Sequence, residues 1–182
     1  MLKVTVPDTE LYDERTNEFI SSKEQILILE HSLVSLSKWE SKWKKPFLSK
    51  TEKTIEETID YIRCMTITQN VKDEIYSDKI ITDDIINQVT EYIDDEMTAT
   101  TFPKDETKNK NRETVTAEII YYWMIALNIS KEYEKWHLNR LMALINVCNI
   151  KNSPPKKMSK REVMSRNARL NAERKKKMNS RG

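Results

Sequence analysis

A chain of 182 residues can bury a core without metals or disulfides, since a body of about 150 residues hides roughly 68–70% of the surface its unfolded chain exposes. Only 38% of its residues are hydrophobic and 33% are charged, so the surface must be densely charged. The single glycine is Gly182, which excludes the phosphate-cradling loops and nucleophile elbows that need glycine for a tight turn, and with them P-loop, Rossmann and α/β-hydrolase chemistry.

The first strand signal is LKVTV (Leu2 to Val6), which alternates and is β-branched, and Pro7-Asp8 ends it. ELY (Glu10 to Tyr12) and EFI (Glu18 to Ile20) flank DERTN, a turn sequence. QILILEH (Gln25 to His31) reads as a strand buried on both faces. Together these segments predict a small antiparallel sheet of three or four strands.

Helices follow. Ser32 caps LVSLSKWESKWKK, in which Leu33, Leu36, Trp39, Glu40 and Trp43 fall at helical spacing, and Pro46 stops it. Thr54 and Glu57 form a capping box for a second helix carrying Ile55, Ile59, Ile62, Cys64 and Met65. A third helix spans about residues 82–94, with Ile85, Ile86, Val89 and Ile93 in register. MTATTFP (Met97 to Pro103) is extended or β-like, and KDETKNKNRE (Lys104 to Glu113), without an apolar residue, is an exposed mobile loop. TVTAEIIYYWMIALN (Thr114 to Asn128) is apolar enough to be the central buried helix. It should form an αα-hairpin with KEYEKWHLNRLMALINVCN and carry most of the core.

The expected class is therefore α+β, mainly α: a small N-terminal antiparallel sheet, a bundle of about five helices, and a basic C-terminal helical arm. The globular domain spans residues 1–152 and the arm residues 153–182, divided at Ser153-Pro154-Pro155. The charge follows the same division. Residues 151–182 hold 12 Lys/Arg and 2 Asp/Glu, leaving 19 basic and 27 acidic residues for the first 150. The small overall charge of +2 thus combines an acidic body with a basic arm.

Few residues suggest chemistry. His31 and His137 lack any H-x3-5-H or C-x2-C spacing, so no metal and no cofactor is expected. Cys148 and His137 are 11 residues apart on one helix, about 16 Å along its axis, too far for proton transfer. Cys64 and Cys148 are expected as reduced thiols. Glu56-Glu57, Asp83-Asp84 and Asp94-Asp95 belong to solvated helix faces and helix ends. The N-terminal sequence lacks the charged and apolar regions of an export signal, and no run approaches 18 apolar residues, so neither secretion nor a membrane span is expected.

Two features suggest a partner. Trp39 and Trp43 share a helix face with Phe47 just beyond, and lysines interleave with them. That pattern admits core packing or an aromatic partner-binding patch. The arm presents Lys156, Lys157, Lys160, Arg161, Met164, Arg166, Arg169 and Arg174. It suits an acidic protein surface, a phosphate backbone, or a solubilising role. No aromatic residue lies between Lys151 and Gly182, so bases have no stacking platform there.

The strings HSLVSLSKWESKWKKPFLS (His31 to Ser49), IDYIRCMT (Ile59 to Thr66), MTATTF (Met97 to Phe102), EIIYYWMIALNI (Glu118 to Ile129), EKWHLNRL (Glu134 to Leu141) and CNIKNSPPKKMSKR (Cys148 to Arg161) carry a resemblance. Along nearly its whole length the chain resembles tail assembly chaperones of long-tailed, non-contractile bacteriophages and Gram-positive prophages. The resemblance implies a non-catalytic protein of the host cytoplasm, absent from the mature virion. It would hold tape measure protein or tail tube subunits until the tube polymerises. Self-association through the acidic body and basic arm is a further expectation. A structural tail or head–tail connector component and a nucleic-acid-binding accessory protein are the alternatives.

Overall fold

Alternation in the first strand has a direct structural result. In the computed structural model, which describes residues 1–13, 18–102, 114–153 and 160–178, strand β1 (Leu2–Val6) buries Val4 and Val6 on one side. It pairs antiparallel with β4 (Gln25–Leu29), Val4 opposite Leu27. β4 also buries one face only, Leu27 and Leu29, while Ile26 is exposed, which corrects the expectation of a strand covered on both faces. Between them in sequence, β2 (Thr9–Asp13) and β3 (Glu18–Ser22) form their own antiparallel pair, Leu11 opposite Ile20. Against the expected sheet of three or four strands, the described residues form four, paired as two two-stranded ribbons and not one sheet.

Six helices follow among the described residues, and the mainly α character of the α+β class holds. Helix α1 (Leu33–Trp43) starts at Ser32, whose hydroxyl accepts from the Ser35 amide while the Ser35 hydroxyl accepts from the Ser32 amide. It ends at Lys44, in the left-handed region at φ 54°, two residues before Pro46. Helix α2 (Ile55–Met65) carries the expected capping box of Thr54 and Glu57. Helix α3 (Asp83–Asp94) buries Ile85, Val89 and Tyr92. Helices α4 (Ala117–Ala126) and α5 (Leu138–Asn152) are separated by a 3-10 turn at Lys131–Lys135. Residues 97–102 form no strand, and the whole of the expected loop, residues 104–113, lies outside the described residues.

The core is centred elsewhere than expected. α1 and α2 pack on each other and α3 packs on β1, and one cluster joins Leu27, Leu29, Leu33, Leu36, Trp39, Ile62 and Met65. α4 packs chiefly on α1 and does not form a close hairpin with α5. It buries Ala117, Ile120 and Met124 and leaves Tyr122 66% and Ile125 78% exposed, so it is a peripheral helix, not the central one. An apolar run of one helix length fits either position; neighbours decide which.

β4 ends at a junction that ties the core together. The Glu30 amide donates to the Met65 carbonyl at 2.9 Å, and the Leu138 amide to the His31 carbonyl at 2.7 Å. The C-terminal end of α2 and the start of α5 are thereby fixed to two adjacent residues, Glu30 and His31.

The chain divides into two compact units, Met1–Asn149 and Ile150–Gly182. In the second, helix α6 (Lys160–Met178) has no buried residue.

Candidate functional site

Residues singled out for partner binding fall into three environments. Trp39 is 1% exposed and Phe47 8%, so both belong to the core. The Trp39 indole N–H donates to the Glu57 carbonyl at 2.8 Å, and its ring meets Phe47 edge-on at 5.1 Å between centroids. Of the two readings open for this aromatic group, core packing holds for Trp39 and Phe47, because the loop after α1 folds Phe47 back over the helix. Trp43 is half-buried and stacks at 6.2 Å on Trp39. Trp39→Phe should therefore lower unfolding stability by about 1–3 kcal/mol in a urea titration, since a buried carbonyl loses its donor. Trp43→Phe should cost less.

Trp43 lines a cleft of about 640 Å³, with Lys42, Asp60, Arg63, Tyr76 and Ser77 among its walls. Asp60 is buried yet doubly satisfied: it accepts from the Lys42 ammonium and, at 2.8 Å, from the Trp43 indole. The Lys42 ammonium sits 5.7 Å from the Trp43 ring centroid, within cation–π range. The cleft is an aromatic and charged surface, large enough for a peptide side chain.

His31 and His137, distant in sequence, are the residues that pattern reading failed to connect. Their rings lie 5.1 Å apart, both almost wholly buried. His31 Nδ1 shares a 2.6 Å hydrogen bond with the Tyr61 hydroxyl, and His137 Nε2 one of 3.0 Å with the Tyr92 carbonyl. Burial, and secondarily the neighbouring His137, pulls the His31 pKa down to about 3; burial also lowers His137, against the hydrogen bond to Tyr92. No group of three or more His, Cys, Asp or Glu suited to a metal occurs among the described residues. The pair's visible role is structural: it sits where the end of β4 meets the start of α5. No sequence spacing signals it, because the antiparallel bridge between Ser32 and His137 joins segments over a hundred residues apart.

The thiols are apart from this pair. Cys64 and Cys148 are both free and partly exposed, and burial first, with Asp60 next, pushes the Cys64 pKa up to about 11. Cys64 is a poor nucleophile at neutral pH.

On the arm, Lys160, Arg161, Met164, Arg166, Arg169 and Arg174 all lie on α6 and all are exposed. At 3.6 residues per turn they surround the helix and do not form one stripe. Arg169 Nε lies 3.8 Å from Glu173, one turn on. Lys156 and Lys157 lie outside the described residues. No family model matches the chain, and no curated protein or solved structure matches it. No helix among the described residues is long and apolar enough to cross a membrane.

Proposed function

We propose that the chain is a non-catalytic binding protein of the tail assembly chaperone kind, acting in the host cytoplasm on tape measure protein or tail tube subunits. The observation that supports this reading best is α6, a 19-residue helix with eight Lys/Arg and no buried side chain. Such a helix gains nothing from a core of its own, and an isolated helix of this length and composition is marginal in water. Docking on a client would supply the missing contacts. The exposed Tyr122 and Ile125 of α4 add apolar surface of the kind that shields an aggregation-prone segment. The resemblance of the sequence to tail assembly chaperones narrows the client to the tape measure or tube.

Co-expression tests the reading. Tape measure protein should stay in the soluble fraction when this chain is present and pellet when it is absent. A chain ending at Ser153 should lose that protection. Equal solubility with and without the full chain would reject the proposal. The protein should also be missing or scarce in purified virions by mass spectrometry. Stoichiometric recovery there would favour a structural tail or connector component instead.

A further inference from the structure

The acid excess of the body is confined to one short stretch. Asp73 to Glu96 holds nine Asp/Glu and one Lys, so the rest of the first 150 residues contains 18 basic and 18 acidic residues and is balanced. Within that stretch, α3 arranges its charge on one side. Asp83, Asp84, Glu91 and Asp94 fall within an arc of roughly 100° at 3.6 residues per turn. The arc lies opposite the buried Ile85, Val89 and Tyr92. All four are exposed, and none forms an ion pair with a described residue.

The C-terminal half of this stripe is unfavourable for an isolated chain, whereas Asp83 and Asp84 stand in the first turn, where the helix dipole favours them. Glu91 and Asp94 are like charges three residues apart, which repel on a helix surface. Asp94 and the following Asp95 and Glu96 stand at the helix C-terminus, where the dipole is already negative and where no basic residue occupies the last turn. A cationic partner laid along the stripe removes both penalties.

The same chain carries such a partner. α6 has eight Lys/Arg against two Asp/Glu, with Arg174 to Lys177 as four consecutive cations, and all eight cations are exposed. We propose that α6 of one copy docks on the acidic outer face of α3 of a second copy, so that the chain self-associates head to tail. The contact joins different surfaces on the two copies. It therefore leaves one α6 and one α3 free at the ends and can extend to a third copy. Nucleic acid is the weaker occupant, since the stripe would repel a phosphate backbone that the arm attracted. The proposal rests on charge placement alone, so failure of client binding leaves it standing, and its failure leaves client binding standing.

Sedimentation velocity on the nuclease-treated full chain tests it. Association should grow with concentration in about 50 mM salt and disappear at about 0.5 M, where the Debye length has fallen to a few ångströms. E91K/D94K and R174E/K175E/K176E/K177E should each weaken association at least ten-fold. The first places cations at a helix C-terminus, where they favour the helix, so an unchanged circular dichroism spectrum is expected. Mixing the two variants should restore association, because each supplies the partner the other lacks. A monomer at low salt, association untouched by E91K/D94K, complexes lost on nuclease treatment, or no rescue on mixing would each overturn the pairing.

Discussion

Glu40→Ala is expected to lower the unfolding free energy of the body by about 3–5 kcal/mol, among the largest effects of any single side chain. Glu40 is 7% exposed in the middle of the fold. One of its carboxylate oxygens accepts the Phe47 amide at 2.8 Å, and the other accepts the Ala117 amide at 2.7 Å. The first bond holds the loop that folds back over α1. The second serves as a cap for α4, whose own Thr116 makes no side-chain cap, and it places a negative charge at the positive end of that helix. Alanine would strand two buried N–H groups together. Glu40→Gln keeps the shape but directs an NH2 group at one of the two donors, so it should recover only part of the loss. Urea unfolding monitored by tryptophan fluorescence measures both variants. A loss below about 1 kcal/mol for Glu40→Ala would show that water replaces the carboxylate.

Lowering the pH from 7 to 5 is expected to destabilise the body by about 2 kcal/mol through His31, with a smaller addition from His137. In the unfolded chain an imidazole titrates near 6.5; in the fold His31 is held down to about 3, first by burial and then by His137. Between those values the unfolded chain binds the extra proton. Stability is therefore complete above 6.5 and falls by about 1.4 kcal/mol per pH unit as the solution is acidified through that window. The groups facing the pair oppose charging only in part. Tyr61 offers His31 a neutral hydroxyl, whereas Glu30 and Asp95 lie close enough to His137 to favour its proton. Glu57, held below the ordinary carboxylate range chiefly by its hydrogen bond from Lys45, loses its contribution only at lower pH and does not blur the comparison. His31→Phe should flatten the stability profile between pH 7 and 5, whatever its effect on stability at pH 7. An unchanged slope in that variant would assign the acid sensitivity to other groups.

Both effects depend on contacts that local pattern does not express. Glu40 stood out in the sequence only as a polar residue in an apolar register, and His31 and His137 only as isolated histidines. The local signals were clear where the physics is local. The capping residues Ser32 and Thr54, the strands at Leu2 and Gln25, the register of α3 and the basic composition of the arm all follow from spacing within a few residues. The errors were errors of neighbourhood. α4 is apolar enough for a central helix, yet it packs on α1 by one side and leaves Tyr122 and Ile125 in solvent. Trp39 and Phe47 are as suitable for an interface as for a core, and the chain reversal after Lys44 places them in the core.

By itself, then, the sequence determined the class of fold, the starts of the first two helices, the lack of glycine-rich phosphate-loop motifs, and the separation of an acidic body from a basic arm. Composition and the 2- and 3.6-residue periods are properties of neighbouring residues, and they survive any rearrangement of the elements. Only the tertiary structure decided that the strands pair as two ribbons, that Glu40 closes α4, that two histidines share one buried junction, and that an aromatic cluster faces inward. Those outcomes turn on which distant surfaces exclude water from one another, a choice made by the whole chain at once.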